Sequence, residues 1–253
     1  HRRRHSFPTR RSSDLASSKA VTTLRQFLSP ERLGNRPVDL VDLSVAIDAA
    51  ATAVAGLAPV DNPMGAPGTT LSGLMVMWTS EGPYWLSFNV GDSRAYVVGP
   101  GGIRQLTHDH SALQEARDLA ATSGAPQVIP PANVVTKALG AGQSGSVKAD
   151  YTIMPLEEGD RAVICTDGVH GVLQDSQIHA IVAAGNGPQG TADVLVKASL
   201  EAGTRDNSTA VVVYAGTQSR VTLTTNVMNR MIQPVRPASI QTARRVPRRE
   251  GSD

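Results

Sequence analysis

Between residues 69 and 106 the chain passes through four apolar, strand-forming stretches with no helical segment between them. They cover residues 69–79, 84–90, 94–98 and 103–106. The breaks fall at Glu81-Gly82-Pro83, Gly91-Asp92-Ser93 and Pro100-Gly101-Gly102, all rich in turn formers. The first three stretches read as consecutive strands of a meander. Further strands are expected over 134–139, 151–154, 161–165 and 208–214. Helices are expected over the alanine-rich 38–57, ending at Gly56 and Pro59, and over 111–123, with Ser111 as N-cap and Gly124 as C-cap. Two more are expected over 175–184, opened by Asp175, and 190–202. Strands in series without a regular alternation of helices argue for antiparallel sheets with helices packed outside them.

With 253 residues the chain is long enough for one large domain and a sizeable core. Its net charge of +2 is unevenly spread. Residues 1–15 and 216–253 together hold twelve of the 24 basic and three of the 22 acidic residues, so residues 16–215 carry 12 basic against 19 acidic side chains. An acidic middle suits cations and not nucleic acid, which requires a basic face. The arginine-rich tail from 216 on reads as a largely disordered, solvated linker. Residues 1–15 have no hydrophobic period and resemble a read-through adaptor, which leaves 16–215 as the expected domain. The single cysteine, Cys165, excludes an intrachain disulfide and favours a reducing cytoplasm. The longest apolar stretch, 45–58, is too short to span a bilayer and contains Asp48.

Three distant segments each place an aspartate at the mouth of an apolar strand: Gly91-Asp92-Ser93, Thr166-Asp167-Gly168 and Arg205-Asp206-Asn207. Any one of them alone reads as an ordinary turn residue, because aspartate closes turns through its own backbone. Three meeting on one rim of a sheet would form an oxygen-rich pocket for hard divalent ions. A pair of such ions turns water into hydroxide at neutral pH and neutralises a phosphate under attack. The protein then needs few nucleophiles of its own. None is evident, since Cys165 lies in an apolar run and no Gly-x-Ser-x-Gly elbow occurs.

The segments Phe88-Asn89-Val90-Gly91-Asp92-Ser93-Arg94-Ala95-Tyr96, Leu106-Thr107-His108-Asp109-His110-Ser111, Val135-Thr136-Lys137-Ala138-Leu139-Gly140, Val163-Ile164-Cys165-Thr166-Asp167-Gly168 and Asp206-Asn207-Ser208-Thr209 follow one another in a familiar order. In that order they resemble the metal-dependent protein phosphatases (PPM, or type 2C Ser/Thr phosphatases) of the bacterial branch. Gly68-Thr69-Thr70 resembles a strand start of that family. The resemblance implies an α+β fold, a four-layer α-β-β-α sandwich of two antiparallel sheets flanked by helices. It implies dephosphorylation of phosphoserine and phosphothreonine proteins, the products of Ser/Thr kinases in bacterial signal transduction. It also implies two core Mn²⁺ or Mg²⁺ ions and a third bound more loosely.

Carried over by motif, Asp167 and Asp206 are ligands of the core ions, and Asp92 shares the third with Asp167. Asn207 supports the Asp206 turn, and Gly168 lets the chain turn beside the ion. The family's upstream Asn-Glu-Asp and Asp-Gly-x-Gly-Gly segments, whose second aspartate bridges both ions, do not occur among these residues, and its phosphate-binding arginine is unidentified. The expectation is a phosphatase domain without its first strands, with hydrolysis near background. The alternative is a non-catalytic domain of the same fold that binds phosphoproteins or regulators. The short proline-rich flap around Val128-Ile129-Pro130-Pro131 leaves substrate preference open.

Other patterns have simpler readings. His108 and His110 flank Asp109 in a loop with no ligand role, and His170 packs beside the Asp167 turn. Gly140-Ala141-Gly142-Gln143-Ser144-Gly145 matches a dinucleotide fingerprint letter for letter, but no helix follows it, so it reads as a loop.

Overall fold

The computed structural model describes residues 10–34, 36–59, 61–62, 65, 67–123, 129–131, 134–142, 147–216 and 243–245. It opens with α1 (Arg10–Phe27), followed by a single turn, α2 (Pro30–Leu33). Neither helix is evident from periodicity, because the inward face of α1 is made of small side chains. Ala16, Ala20 and Thr23 are its buried positions, spaced four and three apart. The helix runs across the compositional boundary at residues 15 and 16.

The alanine-rich helix is α3 (Leu40–Ala55). Asp39 caps it: its carboxylate accepts from the N–H of Val41 and Asp42, each at 2.8 Å, while Asp42 accepts from the Asp39 N–H at 3.1 Å. A reciprocal cap of this kind stabilises by about 1 kcal/mol. Leu40, Leu43, Ile47, Ala50 and Val54 bury its inner face.

The remaining order is β1 (Gly68–Thr69), β2 (Leu71–Thr79), β3 (Gly82–Val90), β4 (Arg94–Gly99), β5 (Gly102–Gln105), α4 (Ala112–Ser123), β6 (Leu139–Gly140), β7 (Asp150–Pro155) and β8 (Arg161–Cys165). Then come α5 (Asp167–His170), α6 (Asp175–Ala184), α7 (Gly187–Glu201), β9 (Ala210–Tyr214) and β10 (Ala243–Arg245). One sheet has the order β10-β7-β3-β2 and the other β5-β4-β8-β9, with β1 and β6 forming a short separate pair. All pairings are antiparallel except β10 with β7. The rest of the basic tail, the Gly124 expected to end α4 and the close of the dinucleotide-like loop lie outside the described residues.

Side-chain alternation sorts the layers. Tyr84, Leu86 and Val90 of β3 pack with α1 and α3 in one core. Trp85 points the other way, between the sheets, against Val97, Met154 and Ala162. Tyr96, Val98, Val163 and Cys165 face Ile178, Val182 and Leu195 of α6 and α7. The result is the expected four-layer α-β-β-α sandwich. Each fully buried Leu or Ile contributes about 1.5–3 kcal/mol. Asp160, fully buried, accepts from the Trp85 indole N–H at 2.9 Å and the Glu157 N–H at 3.0 Å, which satisfies polar groups at the edge of the inter-sheet core.

Two expectations need correction. Residues 69–98 are not a single meander, because β2 and β7 occupy both edges of β3 and leave no place there for β4. The Gly91-Asp92-Ser93 corner instead carries the chain from one sheet to the other. The strand expected over 134–139 shrinks to β6 and one bridge between Ser111 and Val135. Its backbone anchors a loop instead: Val134 O accepts from Ala112 N–H and Thr136 N–H donates to His110 O, each at 2.9 Å.

Candidate metal centre

The corner at Asp92 depends on a glycine. Gly91 has φ +114°, and a Cβ there would lie 2.6 Å from Cβ of Thr70. Its peptide is held from both sides. The Gly91 N–H donates to Nδ1 of His110 at 2.9 Å, and the His110 N–H donates to Gly91 O at 2.9 Å. The Asn89 amide donates to Gly91 O at 2.9 Å and to His108 O at 3.0 Å. Because Nδ1 of His110 accepts, Nε2 carries the proton, and it faces Asp150 Oδ2 at 3.1 Å. From the opposite side His170 Nε2–H donates to Asp92 O at 3.0 Å. Burial, and then the Arg94 guanidinium, pushes the His170 pKa down to about 4, so the ring is neutral.

These bonds hold Asp92 in a site where only 8% of it is exposed. Burial, followed by the neighbouring carboxylate of Asp167, raises its pKa to about 6. Asp167 is also raised, by burial first and then by Asp206. The three aspartates therefore form a chain in which Asp92 feels Asp167 and Asp167 feels Asp206. The adjacent cation, Arg94, relieves this crowding least of the groups that act on Asp92. Arg94 is committed to Asp109 through Nε at 3.0 Å and Nη2 at 2.7 Å, and to Tyr96 Oη at 3.1 Å.

Asp167 starts the single turn α5, which is stitched to the Asp206 segment. Thr166 Oγ1–H donates to Asn207 O at 3.1 Å and accepts from Thr209 N–H at 3.1 Å, and Ser208 Oγ–H donates to Gly168 O at 3.0 Å. A Cβ on Gly168 would collide with the Asn207 carbonyl, which gives a packing reason for glycine there. Asp206 itself is exposed, and its Oδ1 accepts from the Asn207 N–H at 2.7 Å.

A cavity of about 340 Å³ lies at this end of the sandwich. Asp92, Asp109 and Asp167 line it, together with Arg94, Arg117 and His170. Asp206 does not. Among the described residues, no group of three or more His, Cys, Asp or Glu side chains is disposed to hold an ion. The donors present are nonetheless hard oxygens whose mutual repulsion a divalent cation would relieve, so Asp92 and Asp167 fit such an ion. Cys165 offers no competing nucleophile, since burial lifts its thiol to about 12.

Of the aspartates expected as ligands, the structure brings Asp92 and Asp167 to the cavity and leaves Asp206 outside its lining, with Gly168 and Asn207 at the turns beside them. Sequence reasoning missed the Arg94–Asp109 pair, Arg117 on α4 and the contact of His170 with Asp92. Arg94 and Asp109 were both within quoted motifs, but nothing in their spacing shows that they pair across 15 residues.

No family model matches the chain. A serine/threonine phosphatase Stp from Listeria welshimeri is 30% identical over 126 residues, covering 49% of this chain and 49% of the relative. The chain therefore spans about half the length of that curated relative. The Ser/Thr phosphatase MsPP of Mycobacterium smegmatis, solved in complex with cacodylate, superimposes with a TM-score of 0.63 at 29% identity, covering 80% of this chain and 82% of that one. The catalytic domain of the phosphatase PstP, solved with two manganese ions, shares the fold with a TM-score of 0.61 at 24% identity, covering 79% and 80%. Among the described residues no helix is long and apolar enough to cross a membrane.

Proposed function

We propose that this chain, which belongs to the bacterial PPM family, is a metal-dependent phosphatase domain acting on phosphoserine and phosphothreonine side chains of proteins. The observation that carries the reading is the coupled pair Asp92 and Asp167, two crowded carboxylates on the wall of one cavity. A bound Mn²⁺ or Mg²⁺ would lower the pKa of a water molecule and draw charge from the phosphate oxygens. Asp167, whose charge raises Asp92 and which is itself raised by Asp206, would be a ligand of such ions. His170 and His110 keep the Asp92 peptide in place. The Arg94–Asp109 pair withholds the nearest guanidinium from Asp92, so that its carboxylate stays open to a cation. Gly168 admits the Asn207 carbonyl, which keeps the Asp206 turn close. The partners in this reading are phosphorylated products of Ser/Thr kinases in the cytoplasm, where Cys165 stays reduced.

Since the described residues bring only Asp92, Asp167 and the engaged Asp109 to the cavity, turnover of para-nitrophenyl phosphate by residues 1–253 is expected close to background. Any Mn²⁺-dependent part should disappear in Asp167→Asn. Full Mn²⁺-dependent turnover, or turnover indifferent to Asp167→Asn, would place the chemistry elsewhere.

The same sparse donor set favours a second reading, a non-catalytic domain of this fold that binds phosphoproteins. Mn²⁺-dependent retention of a phosphoserine peptide without phosphate release would select it.

A further inference from the structure

The cavity has two guanidinium groups on its wall, and they are in opposite states. Arg94 is saturated by Asp109 and Tyr96. Arg117, on α4, is exposed and has no hydrogen-bond or ion-pair partner among the described residues. Its helix buries no side chain, so the face that carries Arg117 is not needed for packing. Leu113 lies four residues earlier on the same face and lines the same cavity.

α4 is nevertheless firmly seated. The Ala112 N–H donates to Val134 O at 2.9 Å, the Gln114 N–H donates to Ser111 Oγ at 3.2 Å, and Asp118 is paired with His108 Nε2 at 2.7 Å. Asp118, the next residue, is thereby engaged by His108. An anchored helix thus presents a free, planar cation to a cavity that Asp92 and Asp167 also line.

We propose that Arg117 is a specificity-determining residue that pairs with the phosphate oxygens of a phosphoserine or phosphothreonine side chain entering this cavity. This rests on the reading of the cavity as a cation-dependent phosphoryl site. A cation held by Asp92 and Asp167 would neutralise part of the phosphate charge. The guanidinium fork, which matches phosphate geometry, takes the side facing α4.

The test is fluorescence anisotropy of a labelled phosphoserine peptide, and of its unphosphorylated twin, titrated with residues 1–253 in Mn²⁺. Calorimetric Mn²⁺ uptake is measured in parallel. Arg117→Ala should weaken binding of the phosphopeptide by about 2- to 5-fold, the range for a solvent-accessible charged contact. Arg117→Lys should recover part of it. The twin peptide, the Mn²⁺ uptake and the thermal midpoint should not change, because Arg117 is exposed and unpaired. Unchanged phosphopeptide affinity in Arg117→Ala, with the parent chain binding normally, overturns the role of Arg117 alone. Reduced Mn²⁺ uptake in that variant overturns it as well, by showing that the residue acts through the ion. If the parent chain fails to bind the phosphopeptide in Mn²⁺, both this inference and the phosphoryl-site reading fall.

Discussion

Asp167 stands between two aspartate corners that look alike in sequence and differ in structure. On one side, Gly91-Asp92-Ser93 turns the chain from sheet to sheet, with Asp92 nearly buried and its peptides gripped by His110, Asn89 and His170. On the other, Arg205-Asp206-Asn207 is a surface turn in which Asp206 is exposed and accepts from its own neighbour. A buried carboxylate is costly to ionise and is held rigidly; an exposed one is cheap and adjustable. In the proposed metal site the buried corner would fix where a cation sits, while the exposed corner would add charge but little shape.

The contrast is broken most severely by giving each corner a side chain that its backbone resists. Gly91→Ala forces a left-handed residue against Thr70 and should destabilise the fold by about 3 kcal/mol. Gly203→Ala, near the other corner, also has positive φ (+83°) but open space around it, so about 1 kcal/mol is expected. Urea unfolding of both variants measures the difference. Equal losses would show that the Asp92 corner is no more constrained than the surface turn.

Removing the clamp is the next step down. His110→Ala strips the acceptor from a buried Gly91 N–H and should cost about 2 kcal/mol. Asp206→Ala should stay within about 0.5 kcal/mol by the same measurement, as is usual for an exposed residue.

The sequence made half of this contrast legible. Gly91 and Gly168 beside aspartates at strand ends are local signals, the first required by its positive φ and the Thr70 side chain and the second by the Asn207 carbonyl. Burial is not a local property. Whether an aspartate is gripped or free depends on residues far along the chain: His110 is 19 positions from Gly91, and His170 is 78 from Asp92. Antiparallel sheets with helices outside were readable from strands in series, and the four-layer order followed from the family resemblance. The jump between sheets at Gly91 was not, because a turn tripeptide looks the same whether the next strand pairs with the last or leaves it. Helix α1 went unread because its buried stripe is alanine and threonine, too weakly apolar to stand out in a serine-rich segment.

A smaller, pH-dependent effect sharpens the comparison. In the metal-free protein the Asp92 pKa is raised to about 6, above its value in the unfolded chain. Stability associated with its protonated form is therefore present below pH 4 and lost as pH rises through 6. Asp92→Asn should thus stabilise the metal-free chain by about 1 kcal/mol at pH 8, allowing for partial solvent screening, with the gain fading toward pH 4. Thermal unfolding across this pH range measures the effect, and a flat profile for Asp92→Asn would mean that its carboxyl is not crowded.

The most direct measurement is a calorimetric Mn²⁺ titration of residues 1–253 and of the variants Asp167→Asn, Asp92→Asn and Asp206→Asn at neutral pH. With Asp167 as the ligand shared by both corners, the parent chain takes up Mn²⁺, Asp167→Asn abolishes that uptake, and the other two variants each weaken it in part. Uptake that persists undiminished in Asp167→Asn, or a parent chain that takes up none, would contradict the account.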